Sequence, residues 1–189
     1  MLIRIFVVLL VFTFPSYSFG DKFAPQSSYI VISSNQKYVF VMIAPLSAER
    51  DASNWIEPKK NEIIEIRRKY SKSGMYLNDE SNTLLWSVDW YRYGVEISND
   101  GVSVISTAGM ASEMESTALT FYSNGNPVQS YTVNQLVKNK RKMQHTASHF
   151  FWEKESLFDR EKNRYYIETL DEMHYIFDTS NGAIISSSK

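Results

Sequence analysis

The feature that most constrains this chain is the alternation of apolar and polar residues across positions 84–104. Successive side chains of a β-strand point to opposite faces, so Trp86, Val88 and Trp90 would share one face. The sequence at 99–101 is Asn-Asp-Gly, a turn signal because these residues tolerate a positive φ, and the alternation resumes after it. The stretch therefore predicts a β-hairpin whose aromatic first strand anchors a core.

Similar hairpin patterns recur on both sides of this stretch. They lie at residues 27–43, 74–90, 118–133 and 164–185. Turns that begin with Ser-Asn start at residues 34, 98, 123 and 180, and this uneven spacing does not fit the fixed period of a regular propeller or solenoid. We therefore predict a mainly β fold, in which antiparallel hairpins form a sandwich or blade-like stacked sheets.

One short helix is predicted near residues 133–142. Val133, Leu136 and Val137 form its apolar side, and Thr132 or Asn134 can cap its start. The basic residues that crowd its C-terminal end complement the helix dipole, so they need no nucleic-acid partner as an explanation. Residues 62–70 fit a helix slightly better than a strand, and their pattern leaves both open.

The first twenty residues have the pattern of a secretory signal peptide. Arg4 precedes an apolar run of ten residues, Pro15 ends it, and small residues follow as cleavage sites. The run is shorter than the ~20 apolar residues that span a bilayer, although an uncleaved anchor is the alternative. We expect a signal peptide over residues 1–20 and a single β-rich domain over residues 21–189. The mature chain would be periplasmic or secreted, with no integral membrane segment.

Composition excludes several kinds of chemistry. The chain has no cysteine, which rules out thiolate catalysis, cysteine zinc sites and Fe–S clusters. Its formal net charge of -1 gives no general attraction to nucleic acid. His145 and His149 would lie about 13 Å apart on a strand, too far for one metal ion. No glycine-rich phosphate loop or Gly-x-Ser-x-Gly motif is present. We therefore expect no cofactor, no metal and no nucleic-acid partner.

Four residues are candidates for binding. Trp55 lies in the middle of a polar loop, residues 44–61, and long loops in compact domains are often functional. Asp89 stands between two tryptophans, and His149 stands beside two phenylalanines and near Trp152. Polar residues amid aromatic ones are either satisfied structural groups or parts of a site.

Several segments in a set order resemble a group of uncharacterised exported bacterial proteins. These segments are residues 73–76, 85–90, 99–101, 118–122, 131–137, 148–152 and 177–182. Residues 175–182 also resemble the strand-turn-strand unit of a β-propeller blade. The resemblance implies a β-rich extracytoplasmic domain and carries no activity with it.

Two functions follow as hypotheses. The first is a non-catalytic module of the cell envelope that binds a partner protein or a ligand not identifiable from the sequence. The alternative is an envelope hydrolase with a carboxylate/histidine centre, formed by Asp89 and His149. The two differ in whether these side chains and a third polar group converge in one cleft.

Overall fold

The described chain forms three four-stranded antiparallel sheets and one small three-stranded sheet, so the prediction of a mainly β fold is confirmed. The computed structural model describes residues 25–48 and 60–189. The predicted signal peptide, residues 1–20, and the candidate Trp55 lie outside the described residues.

Each large sheet is built from strands in chain order. The first sheet contains β1 (Tyr29–Ile32), β2 (Tyr38–Met42), β3 (Gly74–Leu77) and β4 (Leu84–Ser87). The middle sheet contains β5 (Glu96–Ile97), β6 (Ser103–Thr107), β8 (Thr117–Ser123) and β9 (Asn126–Thr132). The last sheet contains β12 (Glu153–Asp159), β13 (Arg164–Thr169), β14 (His174–Asp178) and β15 (Ile184–Ser188). The minor sheet contains β10 (Gln144–His145), β11 (Phe150–Phe151) and β7 (Met110–Ala111).

The middle sheet packs against both of its large neighbours, because alternate residues of its strands face opposite sides. Val104 and Tyr122 join a buried cluster with Phe40 of the first sheet. Ile105 and Phe121, one position along each strand, join a second cluster with aromatic residues of the last sheet. The three large sheets are therefore stacked, with two separate cores.

Helix α1 (Lys60–Lys69) covers the other face of the first sheet. Its Ile66, with the following Tyr70, packs on Val39, Val41 and Tyr76 of that sheet. Residues 62–70, left open between helix and strand, are thus helical as far as Lys69. Within the described ranges, no helix combines the length and apolar character needed to cross a bilayer.

The helix predicted near residues 133–142 is divided in two. Helix α2 (Val133–Leu136) lasts about one turn, and a short 3₁₀ turn follows at Lys140–Lys142. Between them, the backbone N–H groups of Lys138 and Asn139 donate to the Asp171 carboxylate at 2.8 and 2.6 Å. The helix ends there because a distant side chain takes the donors that would continue it.

The hairpin predicted over residues 84–104 is confirmed around its turn at 99–101, where β5 pairs with β6, but the aromatic stretch is not its first strand. Strand β4 ends at Ser87 and pairs with β3, while β5 pairs with β6, so the stretch links the first sheet to the middle sheet. The shared face of Trp86, Val88 and Trp90 is nevertheless present, because all three pack against the same cluster. Alternation therefore predicted the shared face and the pairing across the turn correctly, but not the strand that pairs with residues 84–87.

At three places, an aromatic donor from a strand or from the segment just after β4 is bonded to a glycine turn of the next sheet. The indole N–H groups of Trp86 and Trp90 donate to the carbonyls of Gly101 and Gly125, at 2.9 and 3.1 Å. The Tyr131 hydroxyl donates to the Gly182 carbonyl at 2.8 Å. The turn glycines have φ values of 73°, 81° and 74°, a region that favours glycine. These bonds fix how each sheet sits on its neighbour.

Candidate functional site

Among the described residues, no hydrogen bond or ion pair joins the candidates Asp89, His149 and Trp152 to one another. Asp89 is exposed just after β4 and makes no hydrogen bond or ion pair to His149. His149 is half-buried, with its Nδ1 atom 2.9 Å from the Ser148 hydroxyl. Trp152 is completely buried, and its indole N–H donates to the Ala108 carbonyl. Trp152 therefore holds the core and has no surface to offer a ligand.

His145 and His149, considered above as metal ligands, have different contacts. His145 is paired with Phe150 in the minor sheet, and their ring centroids are 5.6 Å apart. Among the described residues, no group of three or more acidic or histidine side chains is placed to hold a metal ion.

The described structure instead contains a cavity of about 610 Å³ over the middle sheet. We call it the linker cavity, because residues 91–93, which link the first sheet to the middle one, form one wall. Its other walls come from the middle sheet, the β6–β7 connection and the N-terminal segment. Its lining residues are Gln26, Tyr91, Arg92, Tyr93, Ser106, Thr107, Ala108, Gly109, Met110, Thr117, Ala118 and Thr120.

The floor of the linker cavity is polar although it continues a core face. Ser106 and Thr120 are directly paired across β6 and β8, two residues along from Val104 and Tyr122. Both are buried, and the Thr120 hydroxyl is bonded to that of Ser130 at 3.1 Å. The same strand face therefore changes from a dry core to a hydroxyl-bearing surface.

Hydrogen bonds hold the linker wall in place. The Tyr91 hydroxyl donates to the Ser27 carbonyl at 3.0 Å and accepts from the Ser27 N–H at 3.1 Å. The Tyr29 hydroxyl donates to the Arg92 carbonyl at 2.8 Å. Burial raises the pKa of Tyr29, so this hydroxyl stays protonated as a donor. The wall is thus built before any ligand arrives.

Two side chains of the wall have chemistry suited to a ligand. Tyr93 is 55% exposed, and its ring stands edge-on to that of Tyr91 with centroids 5.4 Å apart. The Arg92 guanidinium donates to the Tyr91 carbonyl at 3.0 Å and lies 5.7 Å from the Trp90 ring. In the described part of the chain, no carboxylate pairs with Arg92, so its charge is uncompensated there.

Sequence reasoning missed these residues. Arg92 between Tyr91 and Tyr93 is visible in the sequence, as are the hydroxyl residues that interrupt apolar β6 and β8. No known motif groups them, because the linker and the strands meet only in the folded chain. Comparison of the sequence with family models and with curated proteins found no match.

Proposed function

We propose that the protein is a binding module of the cell envelope that holds a small ligand in the linker cavity. The observation that carries this proposal is a cavity of about 610 Å³ with a polar floor, formed where the linker lies over the middle sheet. Small-molecule sites typically enclose ~300–1,000 Å³, with mostly apolar walls and a few placed polar groups. The walls are held by hydrogen bonds within the protein, which lowers the entropic cost of binding.

The wall chemistry favours a ligand with an acidic group and a flat or apolar face. A guanidinium binds carboxylates and phosphates through parallel hydrogen bonds, which suits Arg92 to the acidic group. The exposed ring of Tyr93 offers a face or edge for the apolar part. The hydroxyls of Thr117 and Thr107 at the cavity can bond the ligand's own polar atoms.

Binding is favoured over catalysis by the composition of the walls. Among the described residues, those that line the cavity include no carboxylate and no imidazole. General acid–base hydrolysis needs such groups within hydrogen-bond reach of the reacting atoms. Asp89 and His149, the centre of the hydrolase alternative, do not line this cavity.

The location in the envelope rests on residues 1–20. We expect the exported form to begin at about residue 19 to 21, where the small residues allow cleavage. N-terminal sequencing of protein recovered from the cell exterior or periplasm measures this, and a chain that still began at Met1 would contradict it.

The binding proposal is tested by filling the cavity. Ala108 is an exposed alanine that lines the cavity, and its two backbone hydrogen bonds do not involve the side chain. Ala183, also exposed, lies in the β14–β15 turn and serves as the matched control. Wild type, Ala108→Trp and Ala183→Trp would each be incubated with the small-molecule fraction of an envelope extract. Bound species would then be released and identified by mass spectrometry.

We expect an acidic small molecule to be retained by the wild type and by Ala183→Trp. Ala108→Trp should retain at least ~10-fold less, equivalent to about 1.4 kcal/mol of binding free energy. Equal retention by all three proteins would place the ligand elsewhere. Absence of any specific species from the wild type would contradict the proposal.

A further inference from the structure

The carboxylate of Glu153 lacks a partner. Its Oε2 atom is buried and accepts no hydrogen bond from the described residues. No lysine or arginine in that part of the chain forms an ion pair with it. A buried carboxylate oxygen without a donor is costly, and native proteins tolerate few of them. The residue as a whole is half-buried, and the described residues leave its charge without a compensating donor.

Glu153 lines a cleft of about 310 Å³ that adjoins the linker cavity along the β6–β7 connection. The other residues of this Glu153 cleft are Thr107, Gly109, Met110, Phe151 and Lys154. The strand is irregular here, because Glu153 pairs with Thr169 while Glu155 pairs with Glu168. Bulges of this kind re-aim side chains and are common beside functional sites.

The nearest basic residue along the chain does not neutralise Glu153. The ammonium group of Lys154 lies 2.5 Å from Oε1 of Glu168 and forms an ion pair with it. That hydrogen bond raises the pKa of Lys154, so the lysine stays charged and bonded to Glu168. Glu153 is therefore left as the uncompensated anion of its cleft.

The remaining walls suit an alkyl chain that ends in a cation. Met110 and Phe151 are directly paired in the minor sheet, and Phe151 is 37% exposed. An aromatic ring attracts a cation, and a thioether packs readily on methylene groups. A carboxylate then provides a charge-assisted hydrogen bond to the ammonium group.

We propose that the Glu153 cleft binds a primary alkylammonium group, with Glu153 as its counter-ion. The group could belong to a free diamine or to a lysine side chain of a peptide, which share this chemistry. The Glu153 cleft shares Thr107, Gly109 and Met110 with the linker cavity, but Glu153, Phe151 and Lys154 line only the cleft, so effects at these three residues distinguish the two sites.

Binding can be measured by NMR titration of the mature chain with 1,5-diaminopentane and, separately, with N-acetyl-lysine amide. The neutral control is 1-pentanol, which has the same alkyl length without the charge. We expect saturable binding of at least one amine with Kd of about 1 mM, as is usual for so small a ligand. Signals of Phe151 and Lys154, which line this cleft and not the linker cavity, should shift. Binding of the diamine alone indicates a free amine, and binding of the lysine amide alone indicates a peptide.

Glu153→Gln should weaken amine binding at least ~10-fold, since the amide cannot pair with the charge. The matched control is Glu155→Gln, an exposed glutamate on the same strand, which should bind as the wild type does. If Glu153→Gln fails to fold by circular dichroism, Phe151→Ala at the exposed wall replaces it, with several-fold weaker binding expected. The proposal is overturned if 1-pentanol binds as tightly as the amines, if the variants bind unchanged, or if neither amine saturates.

Discussion

The two faces of the middle sheet pack against their neighbours in different ways. Towards the last sheet and its surroundings, the core of the described residues contains seventeen buried members and only two partly buried ones. Towards the first sheet, six members are buried and eight are partly buried, including Trp86 and Trp90. The closed interface therefore holds the fold together, whereas the half-open interface leaves space for a ligand at one end.

The difference originates in two strands that serve both interfaces. Ile105 and Phe121 present apolar groups to the closed side. On the other face of β6 and β8, Val104 and Tyr122 give way to hydroxyl residues after one step of alternation. Because the two faces of a strand are independent in sequence, one sheet can be a core on one side and part of a binding site on the other.

The largest expected effect comes from truncating one aromatic side chain in each interface and comparing the losses of unfolding free energy. Phe121→Ala removes a fully buried ring from the closed side and should cost ~3–5 kcal/mol of unfolding free energy. Trp86→Ala on the half-open side should cost less, although its indole is larger, because the ring is only partly buried. Urea unfolding of both variants measures this. An equal or greater cost for Trp86→Ala would mean that the half-open interface is as closed as the other.

Two glycines in turns, with similar φ values, allow a better matched comparison in which smaller losses of stability are expected. Gly182 has φ 74°, and an added Cβ would lie 2.5 Å from the Gln129 Cβ and 2.7 Å from the Phe121 ring. Gly125 has φ 81°, but its added Cβ would meet nothing nearer than 3.0 Å, at Val88. The backbone strain is similar, so the packing clash decides the difference. We expect Gly182→Ala to cost about 2–4 kcal/mol and Gly125→Ala about 1–2 kcal/mol. If thermal unfolding showed Gly125→Ala to be the less stable variant, the packing clash at Gly182 would not be the deciding factor.

A buried carboxylate should make the closed side sensitive to acid. Burial opposes ionisation of Asp171, but hydrogen bonds from the Thr169 hydroxyl and from the Asn139 and Lys138 backbone outweigh it. The pKa of Asp171 is therefore held below its usual range. A carboxyl whose pKa is lower in the folded state stabilises the fold at neutral pH and loses that contribution as the pH falls through its folded-state pKa.

Asp171→Asn should consequently lower stability by about 1–3 kcal/mol at pH 7, because a strong acceptor is lost. Near the folded-state pKa of Asp171 and below it, the difference in unfolding free energy between the variant and the wild type should shrink. Unfolding curves collected from pH 7 downward measure both effects. A gap that stayed constant with pH would show that the ionised form gives no stability beyond that of the amide.

The smallest expected difference compares two tyrosine hydroxyls. Tyr131→Phe removes the buried bond to the Gly182 carbonyl on the closed side and should cost about 1 kcal/mol. Tyr91→Phe removes bonds to Ser27 at the half-buried linker wall, where water can replace them, and should cost less than ~0.5 kcal/mol. Chemical unfolding measures both costs. A larger loss for Tyr91→Phe would mean that the linker supports the fold as well as the cavity.

Much of the strand layout could be predicted from the sequence, because alternation and turn residues are local signals. The hairpins at residues 27–43, 74–90 and 118–133 are all present. Within residues 84–104, the turn at 99–101 and the pairing across it were correct, but the partner of the aromatic stretch was wrong, since alternation specifies a face and not a partner strand. The helix near 133–142 was too long, since Asp171 ends it from more than thirty residues away.

The candidate site was much less predictable. Trp152 was a candidate because it is aromatic, but its ring is buried in the core. Arg92 and Tyr93 gain their significance only from lying over the hydroxyl floor of another element. An orphaned carboxylate such as Glu153 is also invisible before folding, because the absence of a partner is a property of three-dimensional surroundings.

The chain-order arrangement of the sheets has a consequence for folding kinetics. In the large sheets, nearly all pairs join consecutive strands, and β6–β8 differs only by the short β7 segment between its members. The pair β2–β3 is consecutive as well, but its connection, residues 43–73, is much longer than the others. Local pairings close small loops and lower the entropic barrier, so such topologies fold faster than those with distant pairings. In pulse-labelled hydrogen exchange during refolding, we expect amides of β8 and β9 to become protected before those between β2 and β3. The first sheet, and with it the complete linker wall, would then be the last of these parts to form.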